Sequence, residues 1–165
     1  MAVQSKIAEG REPLLSDFVK GLALGVIVVL LVVTIRHYQS LHSYRDDRNG
    51  DGKADVMSIY DDNKIVGEKY DNDFDGYFET SYTFGRNGYL LKATIDRSGK
   101  GKPDIIQHYT LGRIDTVEFY DLATGRLMKR ATYKLDMKTK EELDQDGDGV
   151  FERVIQFDKY ENPLP

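Results

Sequence analysis

The chain has 165 residues, enough for one modest domain and an appendage. Its formal net charge of -5 disfavours nucleic acid as a partner, because phosphate binding needs a basic face. Cysteine is absent, which excludes disulfides and thiolate metal sites.

Residues 1–17 read as an N-terminal tail in which Lys6 and Arg11 are matched by Glu9, Glu12 and Asp17. The stretch GLALGVIVVLLVVTI (21–35) is the most apolar in the chain and is bounded by Lys20 and Arg36. As a helix, 21–35 would cover about 23 Å, short of a hydrocarbon core of about 30 Å. Phe18 and Val19 lengthen it, and Lys20 and Arg36 can snorkel, so 18–36 is expected to be a transmembrane anchor. A buried globular helix would need a larger protein around it. A cleaved signal peptide would have a more basic start and small residues at a cleavage site, and no A-x-A follows Ile35. Lys6, Arg11 and Lys20 before the span balance Arg36, Arg45 and Arg48 after it, so charge bias does not orient it. Gly21 and Gly25 form G-x-x-x-G, a spacing that lets two membrane helices pair, although glycine is common in such helices anyway. Residues 37–46 read as a juxtamembrane linker, and 47–165 as the folded domain.

That domain repeats one template, D-x-[D/N/S]-x-x-G-x-x-[D/E], as DRNGDGKAD (47–55), DNDFDGYFE (71–79), DRSGKGKPD (96–104) and DQDGDGVFE (144–152). The starts are 24, 25 and 48 residues apart, so a repeat near Asp121 (DLATGRL) has lost its loop. A β-rich run follows each loop: VMSIY (56–60), TSYTF (80–84), IIQHY (105–109) and RVIQF (153–157). Each run puts an aromatic residue at the fourteenth position from the loop start: Tyr60, Phe84, Tyr109 and Phe157. Turns at 61–64, 85–88 and 111–112 lead to return strands at 65–70, 89–95 and 113–120. RLMKRATYKL (126–135) adds a strand, and MKTKEEL (137–143) reads as a helical turn or linker. The fold class expected is mainly β: an antiparallel hairpin meander with acidic metal loops, preceded by one transmembrane helix. Alternation places Phe78, Tyr82 and Phe84 on one face and Glu79, Ser81 and Thr83 on the other, as in a sheet buried on one side.

Carboxylates crowded in one loop repel unless a cation sits between them, and oxygen ligands at alternate positions suit a hard cation, most often calcium. The candidate ligands in the first loop are Asp47, Asn49, Asp51, the Lys53 carbonyl and Asp55. In the second they are Asp71, Asp73, Asp75, the Tyr77 carbonyl and Glu79. In the last they are Asp144, Asp146, Asp148, the Val150 carbonyl and Glu152. Glycine at the sixth position gives the positive φ that wraps a loop round an ion. The competing reading is that Asp-Gly pairs merely form turns, but three loops with acids at alternate positions are more specific than that. In the third loop Ser98 replaces an acid and Lys100 occupies the fifth position, where its ammonium would neutralise Asp96 and Asp104. That loop is expected to keep the turn and lose the ion.

The nine-residue pattern resembles the short calcium loops of dockerins, thrombospondin type 3 repeats and the integrin α-subunit propeller, and the Asp-rich repeats of bacterial exported proteins. It also resembles the first half of an EF-hand loop, but the twelfth position holds Ser58, Tyr82 or Ile155 where that loop needs a bidentate glutamate. The resemblance implies about three structural calcium ions. An enzyme is not expected: His37, His42 and His108 accompany no nucleophile or phosphate-binding motif. The expectation is a single-pass membrane protein with an extracytoplasmic, calcium-stabilised scaffold or docking domain in a cell envelope. Alternatives are an accessory subunit of a membrane complex and a calcium-responsive adhesin or sensor.

Overall fold

The computed structural model describes residues 13–165, so most of the expected 1–17 tail lies outside the described residues. The chain divides after Ser40 into two units.

The described residues of the first unit form one helix, α1, from Pro13 to Ser40. Its opening proline costs no hydrogen bond, because a first-turn N–H has no intrahelical acceptor. Phe18–Arg36 has a mean hydropathy of 2.7, and its side chains are exposed among the described residues. A helix apolar all round needs an apolar surrounding. By length and composition this one fits a membrane span or the apolar part of a signal sequence.

The second unit is one antiparallel sheet of ten strands in chain order, a pure meander. The strands are β1 (Leu41–Asp46), β2 (Val56–Asp61), β3 (Lys64–Tyr70), β4 (Thr80–Phe84), β5 (Leu90–Ile95), β6 (Ile105–Thr110), β7 (Arg113–Tyr120), β8 (Leu127–Lys134), β9 (Met137–Leu143) and β10 (Arg153–Gln156). Two expectations are corrected. The linker over 37–46 does not form: α1 runs to Ser40, and Leu41–Asp46 pairs with β2 along its whole length. MKTKEEL is a strand, not a helical turn or linker. A two-residue turn at Leu135 (φ 53) and Asp136 (φ 64) folds it back on β8, with Met137 opposite Lys134. Two left-handed residues in a row give the turn whose twist matches antiparallel strands. The same device recurs at Asp62 and Asn63 and at Leu111 and Gly112.

The fourth repeat is present in full except for its loop. Register shifts skip Val66, Leu91, Asp115 and Thr139, so each return strand bulges once, at intervals of 24 or 25 residues. Tyr133, opposite Lys138, stands where Tyr60, Phe84 and Tyr109 stand in their own hairpins. The acidic nonapeptide is replaced by a short turn in which the Asp121 carboxylate accepts from Ala123 N, Thr124 N and Thr124 Oγ1.

Registry assigns the two faces. One row runs Ser58, Glu68, Tyr82, Ala93, Gln107, Val117, Ala131, Glu141, Ile155, and the next runs Val56, Tyr70, Thr80, Ile95, Ile105, Phe119, Lys129, Leu143, Arg153. The buried apolar side chains among the described residues, Val56, Ala93, Val117 and Ala131, all lie on this face. The opposite face carries Lys69, Ser81, Thr83, Lys92, Thr116, Glu118, Arg130 and Thr132. The expected alternation holds for Tyr82 and Phe84 against Ser81 and Thr83, whereas Phe78 precedes β4.

A meander sends alternate connections to opposite ends of the sheet. The links β1–β2, β3–β4, β5–β6, β7–β8 and β9–β10 therefore share one end, and these are the four acidic loops and the Asp121 turn. The tight turns occupy the other end. Neighbouring connections at this end are two strands apart, about 10 Å.

Candidate metal centres

Each acidic loop is wound by its own carboxylates. The first-position aspartate accepts from the amides of positions 4 and 6: Asp47 from Gly50 and Gly52, Asp71 from Phe74 and Gly76, Asp144 from Gly147 and Gly149, at 2.6–2.9 Å. Position 3 accepts from the amide of position 5, as Asn49 does from Asp51 and Asp146 from Asp148. Position 5 accepts from position 7: Asp51 from Lys53, Asp75 from Tyr77, Asp148 from Val150. Position 9 closes the ring on the amide of position 2: Asp55 on Arg48 at 2.6 Å, Glu79 on Asn72 and Glu152 on Gln145 at 2.7 Å. Local side-chain bonds of this kind hold the backbone in a turn and turn the carboxylates toward one another.

The sixth-position glycine has φ between 79 and 95 in all four loops. Position 4 is also left-handed, at Gly50, Phe74, Gly99 and Gly147, with φ from 64 to 78. The glycine at position 4 in three loops was the available sign of this second bend; Phe74 masks it in the other.

Three loops bring their acids to a point. One carboxylate oxygen each from Asp71, Asp73, Asp75 and Glu79 lie within 4.8 Å of one another, as do those of Asp144, Asp146, Asp148 and Glu152, and those of Asp47, Asp51 and Asp55. Asn49 holds the third position of the first loop, where its amide oxygen accepts from Asp51 N at 2.8 Å. The ligand sets expected from the sequence contain these acids together with Asn49 and the carbonyls of Lys53, Tyr77 and Val150. Burial sharpens them: Asp55, Asp71 and Asp144 are 1, 4 and 2 % exposed, as well covered as the apolar core. A buried carboxylate needs hydrogen bonds or a counter-charge. Asp71 and Asp144 have both oxygens bonded. Asp55 does not. Its Oδ2 accepts from Arg48 N and Asn49 N, while its Oδ1 is buried with no partner. Glu79 Oε1, at the same position of the second loop, is also buried and unpartnered. A hard cation coordinated by oxygens is the group that such orphaned acceptors suit.

The third loop satisfies itself, though not through Lys100. Asp96 accepts from Ser98 Oγ and Tyr77 Oη, both at 2.7 Å, and from Gly101 N. Burial would raise its pKa, but the bonds from Ser98, Tyr77 and Gly101 outweigh that and hold it at about 2. Asp104, 2 % exposed, is bonded at 2.5 Å by Arg97 Nε. Arg97 was missed in the sequence because it occupies position 2, which bears no ligand in the template.

Outside the loops, His108 Nε2 lies 3.5 Å from Glu118, whose carboxylate also accepts from Tyr120 Oη and Arg130. His42 stacks on Tyr60 at 5.2 Å between centroids. Both histidines thus have structural partners. Side chains of 37–40 lie outside the described set, and with them His37.

No protein-family model matches the chain, and no curated protein matches it. Among solved structures, one similar chain belongs to "accessory secretory protein 1,2 and 3 in Streptococcus pneumoniae": TM-score 0.47, 14% identity, 64% of this chain and 19% of that one. A second belongs to a "GtfA/B complex bound to UDP and GlcNAc": TM-score 0.28, 12% identity, 75% of this chain and 23% of that one. The chain therefore spans about a fifth of each of those chains.

Proposed function

We propose that this chain is a membrane-anchored scaffold whose β-domain lies outside the cytoplasm, is stabilised by calcium at three loops, and docks a protein partner. The observation that carries the metal reading is Asp55: 1 % exposed, with Oδ1 orphaned among converging carboxylates. Calcium suits the loops better than magnesium, because it accepts irregular sets of oxygen ligands. Sites built from so few acids bind in the range of about 10⁻⁴–10⁻³ M, so they fill outside a cell and stay largely empty within it. That is the argument for an anchor whose C-terminal domain is periplasmic or on the cell surface, with residues 18–36 in the membrane.

The docking part rests on the apolar face. A single sheet layer leaves Tyr70, Tyr82, Phe84 and Leu90 half-covered around an open groove of about 510 Å³ that also takes in Glu68. Rings with polar tips beside a carboxylate suit a protein surface more than a lipid one.

Equilibrium dialysis of the full chain in mild detergent tests the metal reading. At 5 mM free calcium about three ions per chain are expected, and fewer than about one overturns it. Reporter fusions after Pro165 test the orientation, and a cytoplasmic signal refutes it. Affinity purification from detergent-solubilised membranes tests docking; a stoichiometric partner supports it, and a chain recovered alone counts against it.

A further inference from the structure

Resting on the calcium reading, we propose that the first and second loops load calcium as a coupled pair, while the last loop loads independently. The loops at the acidic end are bonded side by side. Asp71 N, in the opening ligand residue of the second loop, donates to Asp55 O, in the closing ligand residue of the first, at 2.8 Å. Asp96 N repeats this bond to Glu79 O at 2.8 Å. A second link runs through position 7. Lys53 Nζ, from the first loop, donates to Asp75 O in the second at 2.8 Å. It packs so closely that a Cβ at Gly76 would stand 2.8 Å from it. Tyr77, at position 7 of the second loop, reaches Asp96 of the third in the same direction.

Position 7 is where the template gives a backbone carbonyl to the ion. Lys53 would thus serve the first ion with its carbonyl and brace the second loop with its ammonium. An ion that fixes Asp55 and Lys53 fixes the two residues from which the second loop hangs. The second loop then loses less freedom when its own ion arrives, which is positive coupling in the sense of shared ordering. Direct repulsion between ions about 10 Å apart acts against this coupling, and salt, with a screening length of about 8 Å, weakens that repulsion. The last loop stands apart. Asp144 N donates to Met128 O in β8, and the contact from the preceding turn is Arg126 with the Gly147 carbonyl. The Asp121 turn, with no acid cluster, separates it from the third loop.

The test is calcium titration calorimetry on the full chain in detergent. The last loop is silenced by Asp146→Ala with Asp148→Ala, so that the second can be read. Silencing the first loop by Asn49→Ala with Asp51→Ala should then lower the calcium affinity of the second about three- to tenfold. In a chain whose second loop is silenced by Asp73→Ala with Asp75→Ala, the same change should leave the last loop within about twofold. Lys53→Met should shrink the first effect while both loops still bind; Lys53→Arg should retain it. Calcium binding in the second loop that ignores the first overturns the coupling and leaves the calcium reading standing. Equal losses in the second and last loops show general destabilisation and overturn it too. Chains that bind no calcium in any loop overturn the reading beneath it.

Discussion

Calcium should raise the thermal stability of the sheet by an amount that can be worked from the loops. An ion that binds the folded loop and not the unfolded chain stabilises by RT ln(1 + [Ca²⁺]/Kd), about 1.4 kcal/mol per site at a tenfold excess over Kd. Three sites contribute about 4 kcal/mol. For a unit the size of Leu41–Pro165, each kcal/mol moves Tm by about 3–5 °C, so the full shift is about 12–20 °C. The assay is far-ultraviolet circular dichroism of the full chain in detergent, at 10 mM calcium and in excess chelator, following the sheet signal. Asp73→Ala with Asp146→Ala removes one ligand from each of two loops and should leave about a third of the shift. A wild-type shift below about 2 °C would refute the reasoning, because even one occupied site exceeds it.

Phe74 is the one non-glycine residue at position 4, with φ 66. Left-handed backbone costs a side-chain-bearing residue about 1–2 kcal/mol, and glycine's extra unfolded freedom offsets about half. Phe74→Gly should therefore stabilise by roughly 0.5–1 kcal/mol in urea unfolding. Asp96 titrates near pH 2 in the folded chain and about 3.9 when unfolded, so the unfolded state takes up protons first on acidification. Its contribution is complete above about pH 5 and is lost as pH falls toward 2. Tyr77→Phe removes one of its donors and should flatten that loss in acid unfolding. Converting the third loop needs three changes: Ser98→Asp and Lys100→Asp supply acids, and Arg97→Asn releases Asp104. Dialysis should show one added calcium for the triple variant and none while Arg97 remains.

The strands with alternating or aromatic sequence are legible in the sequence: TSYTF is β4 to the residue, and RIDTVEFY is β7. The two that escaped are the polar ones. LHSYRD is an exposed edge strand with little to bury, so nothing in its pattern separates it from a linker. MKTKEEL has no apolar alternation. Its strand is held by backbone pairing along β8, by the cross-strand pair Lys129 with Glu141 at 3.9 Å, and by a turn at Leu135-Asp136 that propensity does not favour. The carboxylate clusters were legible because ligand spacing within nine residues is local. The orphaned oxygen of Asp55, the Arg97 clamp and the contacts between loops were not, since they depend on burial and on which loops the meander sets side by side.

The order of the strands also decides how the sheet would carry load. β1, continuous with the apolar helix, and β10 are its two outer edges, about 43 Å apart across nine strand spacings. Tension between a membrane and a partner held at the groove on β3–β5 would run across the strands from β1, pulling their hydrogen bonds open in series instead of shearing them together. Such a sheet yields one hairpin at a time and lengthens in steps. The loops at its acidic end are then the stitches that set how much force each step withstands, and calcium would tune the yield of the tether as well as its melting.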